Sequence, residues 1–401
     1  MKKTRSLSFL AVGLAALSLA FFPGTAAKRP AATTPPEFDS CTSILVGRLA
    51  SADGSTMTSH SCDSGSDRTW MSIVPNRKHK PGDTAKLYLE PKLAKGPDDP
   101  ERLEAGEIAQ VPETFAYLNA AYPIMNEHQL AIGETTIGGR RELVSQAGMI
   151  DAPELFRLCL ERAKTAREAV RVADELTALH GYNDWGECLT FADPKEVWQF
   201  EIYGTDYDMT RTLVAVNRRG ETAKSPVASP FMSNDLRELL RIKRERTICS
   251  PASTYLQITQ SRDWLPGPIG GVVWLGYDNP ATTPHTPFYI GIDRMPGSYM
   301  VDGRRAYRRD CAWWAYRTVS KLALFRWQEM TKDVERVWKD IEDRVFPGQA
   351  KLEEEALTLY KKDPRKAKEL LTTYCLDQAD QAVAAYWKLA DELWVKYSGN
   401  F

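Results

Sequence analysis

The chain has 401 residues, of which 43% are hydrophobic and 26% are charged, and its formal net charge at pH 7 is -1. This composition is that of a globular protein with enough apolar residues for a substantial core, which excludes an intrinsically disordered chain. Lysine and arginine are spread along the sequence without a basic stripe, which argues against nucleic acid as a partner.

The first 40 residues differ from the rest and are predicted to be removed. Basic residues precede the apolar run Leu7–Phe22, which ends in small residues up to Ala27. The run is short for a membrane span, so residues 1–27 are predicted to be a secretory signal peptide, with an uncleaved anchor as the alternative. Residues 28–40 have no helical or strand period and are predicted to be a propeptide or spacer. We therefore expect an exported protein, periplasmic or extracellular, without stable membrane insertion after cleavage.

Cys41 is predicted to open the first strand. Two β-prone segments follow one another from Cys41 to Cys62, and between them lies Asp53-Gly54, a dipeptide typical of tight hairpin turns. A side chain at the first position of a strand is held rigidly, while its own backbone nitrogen can stay accessible. The seven cysteines are an odd number, so at least one must stay a thiol or pair with another molecule.

The later elements indicate an α+β fold. Residues 75–112 are predicted to be an irregular surface segment, and residues 124–134 to be two short strands around a polar corner. Capping-box patterns at Asp151–Glu154 and Thr165–Glu168 predict a pair of helices that ends near His180. Further strands are predicted at 197–202, 211–217, 254–259, 270–276 and 287–292. The sequence therefore predicts one layered domain over 41–401, with 311–401 as a helical C-terminal extension.

Several long segments, occurring in a fixed order, carry a family resemblance. They are Cys41–Gly47, Ala52–Met57, Met125–Thr136, Arg162–Ala169, Gly186–Trp198 and Gly270–Pro280. These segments resemble the cysteine-type, dipeptidase A-like enzymes of the N-terminal-nucleophile hydrolases, to which the secernins are related. The resemblance implies a four-layer αββα sandwich and peptide hydrolysis. Two features depart from the family: a shorter region at about 205–250, and a thiol at Cys62.

Cys41 is the predicted nucleophile. After cleavage of the bond between Ser40 and Cys41, the new α-amine, with an ordinary pKa of about 7.7 to 8.0, can accept the thiol proton. The nucleophile and its base then belong to one residue, which makes loss of residues 1–40 obligatory. Processing is either autocatalytic or the work of an exoprotease. The alternative for Cys41 is a buried or disulfide-bonded cysteine.

Two polar residues are predicted to assist Cys41. Asn126 is a candidate donor to the oxyanion, because its side-chain amide offers two N–H groups at a strand corner; the alternative is a turn asparagine that caps its own backbone. Asp63 is predicted to orient the α-amine of Cys41 or to bind a substrate ammonium group. A solvated turn aspartate is the alternative.

The remaining candidates concern substrate and metal. Glu127, His60 and Arg68 are predicted to contact the substrate. Glu134 is a further candidate to face the substrate's free amine, and solvated or ion-paired roles are equally open for Glu127 and Glu134. His60 and Cys62 are two metal-ligand types without further His or Cys partners nearby in sequence, so neither a metal site nor a cofactor is predicted.

The sequence is compatible with three functions. The first is a dipeptidase that acts on small peptides, and the second is an amidase or acylase that cleaves N-acyl amides, as penicillin V and bile-salt acylases do. The third is a non-enzymatic exported binding protein in which Cys41 is a disulfide partner. Oligomer formation is possible in each case.

Overall fold

The fold is built around β-strands. The structure is a computed structural model that describes residues 41–64, 70–89, 103–138, 143–145, 147–204, 211–217, 249–304 and 306–400. The strands, in chain order, are β1 (Leu45–Val46), β2 (Thr56–Cys62), β3 (Ser72–Val74), β4 (Arg77–Lys78), β5 (Thr84–Leu89), β6 (Leu103–Ala109), β7 (Glu113–Thr114), β8 (Tyr117–Asn119), β9 (Met125–Asn126), β10 (Ala131–Gly138), β11 (Gly186–Ala192), β12 (Val197–Gly204), β13 (Arg211–Asn217), β14 (Tyr255–Ser261), β15 (Val272–Tyr277) and β16 (Thr286–Tyr289). The predicted signal peptide and spacer lie outside the described residues.

The helices are fewer and occur in two groups. They are α1 (Ala152–Arg162), α2 (Ala166–His180), a short α3 (Gly267–Gly270), α4 (Ala312–Ala323), α5 (Trp327–Lys362) and α6 (Pro364–Tyr397). Two of them begin at the predicted caps: the side chain of Asp151 accepts a hydrogen bond from the backbone of Glu154, and that of Thr165 accepts one from Glu168. The predicted helix pair is therefore confirmed. No helix in the described part of the chain is long and apolar enough to cross a membrane.

The strands form two main antiparallel sheets within the described residues. One has five strands in the order β1-β2-β14-β15-β16, and the other has seven in the order β13-β12-β11-β10-β9-β8-β3. The sheets meet where Thr58 Oγ1 lies 2.6 Å from Thr190 Oγ1 and where the Gln257 amide donates to the Ile132 carbonyl at 3.0 Å. At Gly133 a Cβ atom would clash with the Ser59 carbonyl, so glycine permits this close approach.

The C-terminal helices pack on the five-stranded sheet. Helices α5 and α6 form a long hairpin, and α6 contacts β16. A buried ion pair fixes α5 to the sheet, with Arg262 Nη1 2.7 Å from Glu353 Oε1, and the Tyr289 hydroxyl donates to the same carboxylate at 2.8 Å. On the other side of the fold, α2 contacts β11, β12 and β13. The predicted mixture of strands followed by C-terminal helices is confirmed.

One predicted segment is more ordered than expected. Residues 75–112 were predicted to be irregular, but β5 pairs with β6 and β4 pairs with β7. Leu87 and Ile108 are buried between this ribbon and the rest of the fold. The prediction was wrong for the described part because the alternation of Ala85, Leu87 and Leu89 lies among polar residues and gives only a weak strand signal.

Asp193 holds several elements together in the turn between β11 and β12. Its carboxylate accepts hydrogen bonds from the backbone N–H groups of Lys195 at 2.7 Å, Glu196 at 2.9 Å and Ala166 at 2.8 Å. Its own carbonyl accepts the hydroxyl of Thr56 on β2 at 2.5 Å. One buried residue therefore connects a turn, the first turn of α2 and the opposite sheet.

We expect Asp193→Ala to lower the free energy of unfolding by about 2 to 4 kcal/mol, because three backbone donors lose their acceptor in a buried position. Denaturation in guanidinium chloride measures the change. Glu355→Ala, on an exposed position of α5, is the control and should shift the free energy by no more than about 0.5 kcal/mol. Equal stabilities of the two variants would contradict the role given to Asp193.

Candidate active site

Cys41 lies directly opposite Cys62 across the first hairpin. Thr42 is paired with Ser61, and the Ser61 N–H donates to the Thr42 carbonyl at 2.9 Å. The next position in this antiparallel register joins Cys41 to Cys62 as a non-hydrogen-bonded pair, in which side chains approach most closely. Both side chains are buried, and none of the seven cysteines, all of them described, forms a disulfide.

His60 lies beside the two sulfur atoms, on the same strand as Cys62. The two residues are two positions apart on β2, so their side chains point to the same face. His60 Nε2 is 3.2 Å from Oε1 of Glu134 on β10, and the imidazole is only 1% exposed. This buried ion pair therefore crosses from one sheet to the other next to Cys41.

The charges of this group are strongly coupled. Burial lowers the pKa of His60, but the neighbouring Cys41 and Glu134 outweigh burial and raise that pKa to about 9. Burial raises the pKa of Glu134, and the positive charge of His60 outweighs burial, so that this pKa is lowered. At neutral pH the pair therefore consists of an imidazolium and a carboxylate.

The Cys41 thiol is neutral in the same state. A hydrogen bond with Cys62, then burial and the charge of Glu134, raise its pKa well above the ordinary value, against the opposing effect of His60. A neutral thiol is a poor nucleophile, so the predicted attack by Cys41 would need a base to remove its proton. His60 already carries a proton and is not available as that base.

A second carboxyl group completes the buried cluster. Burial and the charge of Glu134 raise the pKa of Glu187 well above its usual range, so Glu187 is protonated and hydrogen-bonds Glu134. Thr136 Oγ1 donates to Glu187 Oε1 at 3.0 Å. One of the two acids is thus charged and the other neutral, as expected for adjacent buried carboxyl groups.

Two tyrosines enclose the imidazole. The rings of Tyr122 and Tyr255 meet that of His60 edge to face, at centroid distances of 5.0 and 5.7 Å. Both tyrosines are buried, and burial raises the pKa of each hydroxyl well above its ordinary value. They therefore stay neutral and exclude water from the ion pair.

Asn126 has a structural role. Its Nδ2 donates to the carbonyls of Leu160 and Ala163, each at 2.8 Å, and its Oδ1 accepts the N–H groups of His128 at 3.0 Å and Leu130 at 3.1 Å. The side chain ties the corner between β9 and β10 to the end of α1. The structure does not support the predicted oxyanion role, because both N–H groups of the amide are already used by backbone carbonyls.

Asp63 directly follows Cys62, one position beyond the level of Cys41. It is buried, and its Oδ1 accepts a hydrogen bond from the Ser253 hydroxyl. The alternative of a solvated turn aspartate is therefore wrong. Its predicted action on an amino group stays a prediction.

The three predicted substrate contacts lie in different places. His60 is in the cluster around Cys41. Glu127 is half-buried at the β9–β10 corner, where its Oε1 accepts the Ala116 N–H at 2.8 Å and its own N–H donates to the Ala116 carbonyl at 2.9 Å. Glu127 thus braces the backbone at this corner, a role that the sequence analysis did not consider, and its predicted contact with substrate stays a prediction. Arg68 lies outside the described residues.

Sequence reasoning missed Glu187 and did not place Cys62 or Glu134 beside Cys41. Cys62 was treated as a departure from the family, and Glu134 was considered only as a residue that faces the substrate's free amine. Glu134 and Glu187 reach Cys41 only through the pairing of β10 with β11 and the packing of the two sheets. A buried glutamate inside an apolar strand is the signal that sequence reasoning had available.

Comparison with known proteins agrees with the resemblance seen in the sequence. A model of peptidase family C69 matches residues 40–216 and 221–340, which is well over half of the chain. The chain belongs to this family, a class of peptide-bond hydrolases.

One relative is a probable dipeptidase B from Lactococcus lactis subsp. lactis (strain IL1403). It is 31% identical over 173 residues, which cover 41% of this chain and 35% of the relative. The match therefore spans about a third of that relative's length.

Glu134→Gln is expected to lower the pKa of His60 from about 9 to below the ordinary value, because burial is then opposed by less negative charge. Titration of ¹³C-labelled histidines by NMR measures this pKa. Glu127→Gln is the matched control and should leave the pKa of His60 unchanged. A His60 pKa that stays near 9 in Glu134→Gln would show that Glu134 is not the cause of the shift.

The same shift predicts a pH dependence of stability. A folded-state pKa of about 9, above the unfolded value of about 6.5, stabilises the fold fully below pH 6.5, and this contribution is lost as the pH rises through 9. The midpoint of urea denaturation should therefore fall between pH 6.5 and 9, and less so in Glu134→Gln. An equally steep fall in both proteins would assign the effect to other groups.

Proposed function

We propose that this chain is an exported cysteine dipeptidase in which Cys41, as the N-terminal residue of the processed protein, is the nucleophile. The observation that carries the proposal is the position of Cys41: it precedes the first strand, is buried beside His60 and Glu134, and stands one residue inside the start of the family match. A disulfide role for Cys41 has no support, since its nearest cysteine, Cys62, is present as a thiol.

The protonation states favour the α-amine as the base. The Cys41 thiol is neutral and His60 is already cationic, so the group that accepts the thiol proton must be a third one. The α-amine created by cleavage after Ser40 has an ordinary pKa of about 7.7 to 8.0 and is attached to the same residue. Because the amine and the thiol belong to one residue, no separate side chain has to be positioned as the base.

The reaction follows from these groups. The amine takes the thiol proton, and the sulfur attacks the peptide carbonyl to give a tetrahedral intermediate. The same proton passes to the leaving amine as the C–N bond breaks, which leaves an acyl-enzyme on Cys41. Water, activated by the amine, then releases the acyl half and restores the thiol.

We assign to His60 the stabilisation of the oxyanion that the sequence predicted for Asn126. Its imidazolium lies close to Cys41 in a dry environment, where a fixed positive charge favours the thiolate and the developing oxyanion. Glu134 keeps that imidazolium charged and oriented, and therefore acts on the reaction through His60.

The architecture and export belong to the same proposal. Two facing sheets, with α1 and α2 beside strands of the seven-stranded sheet and α4 to α6 beside the other, support a four-layer αββα sandwich of the N-terminal-nucleophile type. The apolar run Leu7–Phe22, with small residues after it, supports export to the periplasm or the medium.

The substrate is proposed to be a short peptide with a free amino group. A probable dipeptidase among the relatives supports this choice. Asp63, buried one position beyond Cys62, is the carboxylate proposed to receive an ammonium group, either that of the substrate or the α-amine of Cys41.

Cys41→Ala should abolish dipeptide hydrolysis, because the sulfur that attacks the peptide carbonyl is removed. The assay measures kcat on a panel of dipeptides. Cys159→Ala, which removes a buried thiol of α1, is the control and should keep its activity. Intact mass of the active protein should correspond to a chain that begins at Cys41. Activity in a chain that retains Ser40, or in Cys41→Ala, would refute the mechanism.

Asp63→Asn should raise KM for dipeptides by about tenfold or more, because a buried ion pair with the substrate ammonium is lost. N-acyl amino acids, which lack that charge, should be affected less. Asp340→Asn, on an exposed position of α5, is the control.

Two other outcomes of this substitution are informative. A fall in kcat on both substrate classes would assign Asp63 to the α-amine of Cys41. Preference for N-acyl substrates in the native protein, with no effect of Asp63→Asn on either parameter, would favour the acylase function instead.

A further inference from the structure

The cluster at Cys41 contains a set of metal ligands. The sulfur atoms of Cys41 and Cys62 and a ring nitrogen of His60 all lie within 4.8 Å of one another, and all three side chains are buried. Sequence spacing brought only His60 and Cys62 together, and the pairing of the hairpin adds the third residue. We propose that this cluster binds one thiophilic divalent cation, with Zn²⁺ as the representative ion.

The chemistry of the donors favours such a cation. Two thiolates and one imidazole form a soft set that selects zinc over magnesium or calcium, which prefer oxygen ligands. With bonds of about 2.0 to 2.3 Å in a tetrahedral site, neighbouring ligand atoms are about 3.4 to 3.8 Å apart. The present separations of up to 4.8 Å therefore need to close by about 1 Å, within reach of small side-chain rotations.

The scaffold holds these donors in place before any ion arrives. Cys41 and Cys62 are fixed by the register of the hairpin, and His60 shares the face of β2 with Cys62. The ring nitrogens of His60 are buried without an aligned hydrogen bond, although Nε2 is 3.2 Å from Glu134. A buried imidazole of this kind is unusual unless it has a further partner, and a bound cation would supply one.

Glu134 fits the same arrangement in either of two positions. Its carboxylate can orient His60 from behind, as carboxylates beside metal-bound histidines do, or it can become the fourth ligand. The α-amine of a processed Cys41 is a further nitrogen donor. The site thus offers three protein ligands and at least one more group for a four-coordinate ion.

Occupation of this site would regulate the proposed enzyme. Binding releases to solvent the thiol protons of Cys41 and Cys62 and one ring proton of the His60 imidazolium, and the metal takes the place of all three. The sulfur electron pair of Cys41 that is needed for attack on the carbonyl is then engaged in a metal bond. No oxidation or reduction is involved. The inhibitory effect rests on the proposed function, whereas the binding itself does not, and the cation is an inhibitor of hydrolysis instead of a cofactor.

Direct binding tests the site. The purified protein is reduced with a thiol-free reductant and freed of metal. It is then titrated with Zn²⁺ in competition with a chromophoric chelator, and separately with Co²⁺ to detect absorption from sulfur-to-cobalt charge transfer. We expect one ion per chain and a charge-transfer band. Cys62→Ser should weaken Zn²⁺ binding by about tenfold or more and reduce the band, whereas Cys159→Ser, a buried thiol in α1, should bind as the native protein does.

Several results would overturn the proposal. These are the absence of stoichiometric Zn²⁺ binding by the native protein, or equal affinity in the native protein and Cys62→Ser. Circular dichroism confirms that each variant is folded, and Cys62→Ala replaces Cys62→Ser if the hydroxyl disturbs the buried site.

A parallel assay separates this inference from the proposed function. Zn²⁺ should inhibit dipeptide hydrolysis, a chelator should restore it, and Cys62→Ser should require about tenfold more Zn²⁺ for the same inhibition. Binding without any hydrolysis would leave the metal site standing and reject the dipeptidase. Hydrolysis that is insensitive to Zn²⁺, in a protein that binds no Zn²⁺, would keep the dipeptidase and reject the metal site.

Discussion

The buried ion pair between His60 and Glu134 is the interaction on which the site depends. It joins the two sheets beside Cys41, and both side chains are buried, so solvent screens their attraction less than it would at the surface. Removing one member would leave the other charge buried alone, which is far more costly than breaking an exposed pair. The arrangement of Cys41, Glu187 and the enclosing tyrosines follows from keeping these two charges together.

The same ion pair determines which groups of the cluster are protonated. His60 holds a proton and Glu134 does not, and the negative charge of Glu134 keeps the adjacent Glu187 neutral. The Cys41 thiol is also neutral, and a base other than His60 is needed to remove its proton. Neighbouring titratable groups whose pKa values are driven apart are typical of sites that carry out chemistry. Burying these charged groups costs more free energy than an apolar core in the same place would. The cluster therefore does little for stability, and this favours a functional origin.

Local signals predicted much of the fold, and long-range contacts account for what they missed. The caps at Asp151 and Thr165 are hydrogen bonds within four residues, so their helices were readable from the sequence. Cys41 was selected through its place after a segment that is predicted to be removed, and its role as nucleophile stays a prediction. Glu134 reaches it only by sheet packing, which no short pattern encodes. For Asn126, an amide at a corner can serve the backbone or a ligand, and its hydrogen bonds to two backbone carbonyls become visible only in the structure.

The raised pKa of the Cys41 thiol has a consequence for survival in an oxidising compartment, where the proposed enzyme would work. Peroxides and disulfides react with thiolates and hardly with thiols. If Cys41 is the nucleophile of an exported enzyme, the raised pKa of its thiol would therefore slow its reaction with such oxidants. In the proposed enzyme, lower resting reactivity of the thiol would accompany a longer working life.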